Sequence, residues 1–190
     1  MKNRFASYFK NIIFALEKHL KDRQGGQEVP SSFTTMLKET VQILLNDALL
    51  ERQDLFVIEF DVSSVNHINV VLDGDHGVTV EDCVFISRAI EHNIDRETID
   101  FSLEVASAGA ASPLMMQRQY AKNIGKILEI TTKNKGNFEG VLQSTTEQNF
   151  TIRWKAREPK PIGKGKTTVE KTAELNYDDI EAAKVKLKFN

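Results

Sequence analysis

Residues 73–83, DGDHGVTVEDC, bring acidic, imidazole and thiol side chains close together, as metal binding or acid–base catalysis would require. The candidates are Asp73, Asp75, His76, Glu81, Asp82 and Cys83. A zinc site needs ligands at a fixed spacing such as CxxC or HExxH, and the sequence has neither. A calcium loop beginning at Asp73 needs a glutamate at its twelfth position, which is Val84. The pattern therefore predicts neither a metal site nor a catalytic one.

Local structure explains the same residues better. Gly74 and Gly77 can take the positive φ of a tight turn. Thr79 and Asp82 have the spacing of a capping box at a helix start, which makes them structural residues. Cys83 falls on the apolar stripe of that helix. As the lone cysteine it excludes an internal disulfide and fits a reducing cytoplasm.

Two other stretches contain residue types found in nucleotide or acyl-transfer sites. GKGKTT (163–168) has the end of a phosphate-binding loop, but Lys160 stands where that loop needs its first glycine, and a strand pattern follows instead of a helix. SAGAAS (107–112) does not fit the G-x-S-x-G nucleophile motif. The four histidines are scattered, so we expect a protein that is not an enzyme and uses no metal or cofactor. An unrecognised hydrolase, the alternative, would require a convergent polar pocket.

Charge is divided unevenly along the chain. Residues 36–104 contain 15 acidic and 4 basic side chains, whereas residues 105–190 contain 9 acidic and 15 basic ones. A basic half suits RNA, because Lys and Arg bind phosphates by releasing counterions; two solvated faces without partners are the alternative. The candidate RNA- or ribosome-contacting residues are Lys133, Lys135, Lys155, Arg157, Lys160, Lys164 and Lys166. Phe150 and Trp154 could stack on bases, but their shared strand face favours a place in the core.

Apolar spacing in the first half predicts helices over 37–51 and 80–92 and strands over 55–62, 67–73 and 98–105. In the first strand, the apolar face is assigned to Phe56, Ile58, Phe60 and Val62. One apolar face per strand predicts a single helix layer, with the second helix crossing between parallel strands.

Residues 1–35 predict an amphipathic helix and a flexible linker; a dispensable extension is favoured over a docking or membrane-surface helix. No run reaches the roughly 18 apolar residues of a membrane span.

The second half begins after the small-residue stretch 106–113 and contains short strands separated by turns. The predicted strands are 124–132, 138–146, 149–157, 167–175 and a last strand within 176–189. Five short strands favour a small closed barrel, because closure removes exposed edges, and Gly140 is expected to mark a strong bend.

Several motifs together resemble those of the ribosome maturation factor RimP family. The run GVTVEDCVFISRAIEHNID matches at Gly77, Val78, Thr79, Asp82, Cys83, Ser87, Arg88 and Asp95. The run LEVASAGAASPL matches at Leu103, Glu104, Val105, Ser107, Gly109, Pro113 and Leu114, and departs at Ala106, Ala108, Ala110, Ala111 and Ser112. FEGVLQS and LNYDDIEAAKVK also resemble family segments. The resemblance covers about 36–190, and residues 1–35 have no counterpart in it.

The resemblance implies an α+β protein with an N-terminal α-β-β-α-β domain and a C-terminal SH3/Sm-like β-barrel. The implied divisions are 1–35 (extension), 36–106 (α/β domain), 107–114 (linker, with Gly109 and Pro113 as structural residues) and 115–190 (barrel). It implies a cytoplasmic, cofactor-free monomer that binds immature small (30S) ribosomal subunits, both ribosomal RNA and a basic ribosomal protein, and promotes their maturation without membrane contact. A general Sm-like RNA-binding module, possibly oligomeric, is the alternative.

Overall fold

The structure is a computed structural model and describes residues 31–134, 136–160, 162 and 164–187. The described residues divide into two compact units, one ending at Ser107 and the other beginning at Ala108. The helix and most of the linker predicted within residues 1–30 lie outside the described residues. Within the described part, no helix is both long and apolar enough to cross a bilayer.

The first unit is a three-stranded sheet with two helices. Its elements are α1 (Ser31–Glu51), β1 (Leu55–Val62), β2 (His67–Gly74), α2 (Val80–Glu91) and β3 (Ser102–Ser107). The sheet order is β1-β2-β3, with β1 antiparallel and β3 parallel to β2, so α2 lies in the crossover connection. Helix α1 begins six residues before the predicted start and includes positions assigned to the extension and linker. No Gly or Pro lies between Ser31 and Glu51, so nothing in this stretch breaks the helix.

The core of the first unit lies between the sheet and the helices. Its fully buried side chains are Leu37, Val41, Leu45, Ile68, Val70, Leu72, Ile86 and Ile90. The face predicted for β1 is only half right, because the pairing with β2 shifts between Val57 and Glu59. This bulge reverses the alternation, so Val57 joins Phe60 and Val62 at the core, while Phe56 and Ile58 are not among the core cluster.

Strand β3 begins at Ser102, four residues later than predicted. Asp95 explains the difference, because its carboxylate accepts hydrogen bonds from the backbone of Glu97 (2.9 Å) and the hydroxyl of Thr98 (2.7 Å). These bonds hold the preceding residues in a turn. Ile99 and Phe101 are nevertheless buried, so the apolar pattern identified core residues but not their backbone conformation.

The second unit contains a short helix and five strands. Its elements are α3 (Gln117–Ala121), β4 (Ile127–Thr132), β5 (Gly136–Thr145), β6 (Asn149–Pro159), β7 (Lys166–Asn176), the 3-10 turn Tyr177–Asp179 and β8 (Ile180–Val185). All neighbouring pairs are antiparallel, in the order β7-β6-β5-β4-β8. Helix α3 was not predicted. It contributes buried Tyr120, whose ring centroid lies 4.8 Å from that of Phe150 in the core.

The sheet of the second unit is open rather than closed. Strands β7 and β8 are its two edges, and no β7–β8 pairing occurs among the described residues, so the predicted closed barrel is not found. Both edges still contribute to one core, through Leu175 from β7 and Ala183 and Val185 from β8. Side-chain packing, without a closing hydrogen-bond ladder, therefore completes this unit.

Candidate nucleic-acid interface

A two-stranded ribbon extends from the sheet of the second unit. The pairing of β5 with β6 ends at Val141 and Arg153, whereas β6 and β7 stay paired as far as Pro159 and Lys166. Residues 154–159 and 166–171 therefore pair only with each other, and we call these two segments and the connecting loop the ribbon. At about 3.4 Å per residue, six residues give it a length of roughly 20 Å.

Cations lie on one face and at the tip of the ribbon. Lys155 and Arg157 are exposed on β6, and exposed Lys166 lies on β7 directly opposite Pro159. Because directly opposite residues share a face, these three cations point to the same side. Lys160 and Lys164 lie in the connecting loop, where the backbone N–H of Lys160 donates to Gly165. The structure therefore brings together the five cations that the sequence placed near this loop.

These five cations differ from their basic neighbours in forming no ion pair, although Lys155 lies directly opposite Glu170 on the same face. Arg153 lies 3.4 Å from Glu170, and Lys171 forms an ion pair with Glu158, both across the β6–β7 ladder. Lys155, Arg157, Lys160, Lys164 and Lys166 have no such ion pair within the described part of the chain. Exposed cations without an ion pair can neutralise phosphates and so release the counterions condensed on a nucleic acid, which suits this surface to a phosphate backbone.

The other two cations proposed from the sequence are not part of this group. Lys133 lies in the turn after β4, where its ammonium donates to the carbonyl of Asp178 (2.7 Å) and its backbone N–H to that of Asp179 (2.9 Å). Its contacts therefore fix the turn after β4 to the turn before β8. Lys135 lies outside the described residues.

The nearby aromatic residues belong to the core. Phe150 is fully buried, and Trp154 is half-buried, with its ring edge-on to that of Phe138 at a centroid distance of 5.9 Å. Phe150 therefore has no face open to a base, and the Trp154 ring is partly covered by its packing against Phe138. The strand beginning at Lys166 also removes the helix that a nucleotide-binding loop would need.

The acidic cluster near residue 80 forms a helix cap. Thr79 and Asp82 make the predicted capping box, with the Asp82 carboxylate accepting from the backbone N–H (2.8 Å) and hydroxyl (3.0 Å) of Thr79. Arg52 lies 2.7 Å from the same carboxylate and also binds Asp54 with two N–H groups. The backbone N–H of Thr79 lowers the pKa of Asp82, with Arg52 adding to the effect. Sequence analysis missed Arg52, since a lone Arg after a helix gives no signal.

The rest of that cluster has structural explanations. Gly77 has a φ of +93°, as predicted, but Gly74 does not have a positive φ. Gly74 is needed because a Cβ there would lie 2.5 Å from the carbonyl oxygen of Gly77. Burial raises the pKa of the Cys83 thiol, which disfavours the reactive thiolate. No group of three or more His, Cys, Asp or Glu side chains among the described residues could hold a metal ion.

The sequence pattern did not predict one group of neighbouring polar side chains. His67 Nδ1 lies 2.8 Å from Ser102 Oγ, and His67 Nε2 lies 3.9 Å from Glu104 Oε2. His67 and Ser102 are 35 positions apart in the chain and meet because they are directly opposite in the pairing of β2 with β3. By residue type this is a serine–histidine–carboxylate set. Its histidine and glutamate side chains are 43% and 65% exposed, so it lacks the water-excluded surroundings in which such sets catalyse reactions.

The stretch predicted as a linker is partly ordered by the second unit. The carbonyl of Gly109 accepts from the backbone N–H of Ser112 (2.9 Å), which forms a turn. Pro113 bridges to Lys184, and the backbone N–H of Leu114 donates to Ala183 at 2.8 Å, so both residues lie along β8.

Comparison with known proteins identifies the family. The chain is 54% identical over 154 residues to the ribosome maturation factor RimP of Christiangramia forsetii, which covers 81% of this chain and all of that protein. The chain belongs to the RimP family. It is also 46% identical over 152 residues to RimP of Flavobacterium psychrophilum, covering 80% of this chain and 98% of the relative. RimP of Cytophaga hutchinsonii is 28% identical over 166 residues, which is 81% of this chain and 99% of that protein.

The model of the RimP N-terminal domain matches residues 46–111. This match includes the Thr79–Asp82 cap and Arg52, and it ends before the ribbon. The matched region thus contains most of the acidic first unit, including its helix cap, while the five cations of the ribbon lie outside it.

Proposed function

We propose that this protein binds immature small (30S) ribosomal subunits and promotes their maturation by binding, without catalysing a reaction. The observation that carries the proposal is the group of five unpaired cations on the ribbon of a RimP family member. If the protein binds one arrangement of ribosomal RNA more tightly than the others, binding would increase the population of that arrangement. A mature subunit that binds the protein more weakly would then release it.

The ribbon would approach ribosomal RNA through its phosphates. Lys160→Glu, Lys164→Glu and Lys166→Glu combined should weaken binding to purified immature subunits and flatten its dependence on salt, by about one unit of log–log slope for each phosphate that is no longer bound. Single Lys164→Glu should have a smaller effect of the same kind, and Lys126→Glu, at an exposed cation in the turn before β4, is its control with the same charge change. Unchanged co-sedimentation of the triple variant at several salt concentrations would remove the ribbon from the proposal.

The cellular experiment asks where the protein migrates in a sucrose gradient of lysate. Cofractionation with immature small subunits, and accumulation of precursor ribosomal RNA when the gene is deleted, are the expected results. Migration with mature subunits only, or unchanged processing on deletion, contradicts the proposed role. The same fractionation tests the expected cytoplasmic location.

The acidic unit would face a basic ribosomal protein. On the sheet face away from the core, Asp61, Asn69 and Glu104 lie directly opposite one another across three strands. Asp61 is paired with Lys38 at 3.1 Å, so the charges without such a partner in the described part of the chain are Glu104 and exposed Glu59. Such a row attracts Lys and Arg side chains and steers their approach. Glu59→Lys with Glu104→Lys should slow association with the immature subunit. Glu97→Lys, at an exposed turn, should have a much smaller effect.

A general Sm-like RNA-binding module, possibly oligomeric, is the second candidate. The open edge of β7 favours it, because edge strands can pair between copies. We infer an SH3/Sm-like architecture for residues 115–190, next to the α/β domain over 36–106. Sedimentation equilibrium separates the two functions, since a maturation factor is expected to be a monomer and a ring contains several copies.

A further inference from the structure

The tip of the ribbon carries an exposed apolar side chain. Ile162 is 91% exposed, more than any other large apolar side chain that the structure describes, and it belongs to neither core. The backbone N–H of Lys160 donates to the carbonyl of Gly165 at 3.1 Å, which closes the loop at the end of the β6–β7 ladder. Ile162 lies in the middle of this loop and is exposed to water at the end of the ribbon.

Its position distinguishes Ile162 from other exposed apolar residues, which are common when they occur singly. Lys160 and Lys164 lie two residues before and after it, and Lys166 begins the row of cations on one face of the ribbon. An apolar pocket of a protein would bury these ammonium groups, which is costly without acidic partners. A phosphate backbone binds them with release of counterions. The surroundings of Ile162 therefore favour a nucleic acid.

The cationic face stays positive after its acidic side chain is counted. In the described part of the ribbon, Glu170 is the one acidic residue on this face, and it lies 3.4 Å from Arg153. Glu158 and Lys171 lie on the opposite face, where they form an ion pair with each other. The one carboxylate on the cationic face is thus neutralised by a neighbouring arginine, and the positive charge of the ribbon remains in excess.

The shape of the ribbon favours a double helix over a single strand. Proteins that bind single strands stack bases on aromatic rings, but Phe150 is buried and Trp154 lies on the face opposite the cations. The β6–β7 ladder has no register shift, so it holds its cations at regular intervals. A two-stranded ribbon fits the wide groove of a double helix. In RNA the wide, shallow groove is the minor groove, which side chains can enter.

An apolar side chain at the end of such a ribbon can enter the stack of bases. Proteins that bind the minor groove insert side chains such as Ile, Leu or Pro between base steps, which unstacks the bases and bends the helix. Insertion would remove the exposed surface of Ile162 from water. Unstacking costs least where a base is already unpaired. The preferred target is therefore a double helix with a bulge.

We propose that Ile162 inserts between the bases of an RNA double helix at a bulge, while the cations of the ribbon bind phosphates beside it. Only the identification of this helix as ribosomal RNA rests on the proposed function. Insertion adds a contact that does not depend on salt, and it selects a place on the helix, which phosphate binding alone does not.

Two measurements on one RNA distinguish insertion from phosphate binding. An RNA hairpin with a one-nucleotide bulge carries, next to the bulge, a fluorescent base analogue that brightens when it unstacks. The full-length parent protein should raise this fluorescence, and Ile162→Ser should not. Ile162→Ser should also weaken binding about fivefold without changing its salt dependence, because the substitution removes apolar surface and no charge. Single Lys164→Glu should instead flatten the salt dependence.

Val65→Ser is the matched control. Val65 is 78% exposed in the turn between β1 and β2, so this variant loses exposed apolar surface without altering the ribbon. It should bind the bulged RNA as the parent does. Ile162→Leu keeps an apolar side chain at the tip and should retain the fluorescence change. All three variants should unfold at the temperature of the parent, because Val65 and Ile162 belong to neither core.

Several outcomes would overturn insertion. These are equal binding of Ile162→Ser and the parent to the bulged RNA, a fluorescence change that Ile162→Ser retains, and tighter binding of the parent to a single strand of the same sequence. If Ile162→Ser binds immature subunits less well but the parent does not bind the free RNA, Ile162 enters a protein pocket and the proposal is also wrong.

Experiments with immature subunits separate this proposal from the proposed function. If subunits bind the parent and Ile162→Ser equally, insertion is wrong and the proposed function stands. If the bulged RNA gives the expected results but subunits do not bind the parent, the proposed function fails and the insertion site stands.

Discussion

Arg52 Nη1 lies 2.7 Å from the Asp82 carboxylate, which joins the residue after α1 to the first turn of α2. The Asp82 side chain is only 7% exposed, and its oxygens also accept two hydrogen bonds from Thr79. A nearly buried carboxylate is tolerated only when paired and hydrogen-bonded. Charge therefore holds together the ends of the two helices that cover the sheet.

Removing this carboxylate should destabilise the first unit. Asp82→Ala loses the cap and the bond to Arg52, so we expect the free energy of unfolding to fall by about 2 kcal/mol. Urea unfolding followed by circular dichroism at pH 7 measures the change. Glu81→Ala, at the exposed neighbouring position, should stay within about 0.5 kcal/mol of the parent. Equal stability of the two variants would contradict this account.

The carboxylates of Asp82 and Asp54 should make the free energy of unfolding sensitive to acid. Hydrogen bonds from Thr79 lower the pKa of Asp82, and Arg52 lowers the pKa of Asp54, from an ordinary value of 3.8. A lowered folded-state pKa gives stability that is present above 3.8 and lost as pH falls through the folded-state value. Unfolding between pH 7 and pH 2.5 should therefore show a steeper acid decline for the parent than for Asp82→Ala. Parallel declines would mean that Asp82 is not the group responsible.

Lys186 lies between two glutamates that are directly opposite each other on β4 and β5. Its ammonium is 2.7 Å from Glu139 and 3.7 Å from Glu129. Lys186→Met leaves Glu139 without this partner beside Glu129, which keeps only Lys184, at 3.2 Å, among the described residues, so the free energy of unfolding should fall at pH 7. The loss should shrink in 1 M salt, which screens exposed charges.

The pKa of Lys186 sets the upper pH limit of its ion pairs with Glu139 and Glu129. The hydrogen bond to Glu139 raises the pKa of Lys186 above 10.5, so its stabilising effect is fully present below pH 10.5 and is lost as the pH rises through the higher folded-state value. Lys126→Met is the control, because Lys126 is exposed and has no ion pair within the described residues. A pH-independent difference between Lys186→Met and the parent would show that packing, not charge, is responsible.

Trp154 should be a stability residue and not an RNA contact. Its half-buried ring packs against Phe138, so Trp154→Ala should lower the free energy of unfolding by about 2 kcal/mol. Binding of the folded fraction to immature subunits should not change. Trp154→Phe keeps an aromatic ring at this position and should recover much of the stability in thermal unfolding. Reduced binding with unchanged stability would instead indicate base stacking.

The sequence predicts the elements of this protein better than their pairing. Helix α2 and strand β2 were found because their apolar periods are regular over a full element. The bulge between Val57 and Glu59 was not, since it depends on the register with a second strand. The closed barrel was wrongly predicted for the same reason, and α3 is too short to show the apolar periodicity of a helix.

The candidate interface was likewise only partly predictable. Composition located the cations of the ribbon, but not which of them remain unpaired. That distinction depends on Arg153 and Lys171 meeting Glu170 and Glu158 across the ladder. Similarly, the meeting of His67 with Ser102 depends on a parallel pairing across 35 residues.

The separation of the ribbon from the β5 ladder at Arg153 has a consequence for how this surface can diverge. Residues can be added or removed in matched pairs at the tip without repacking the interior. Each pair would change the reach toward a nucleic acid by about 3.4 Å. A ribbon of another length would therefore reach a different distance from an unchanged folded body.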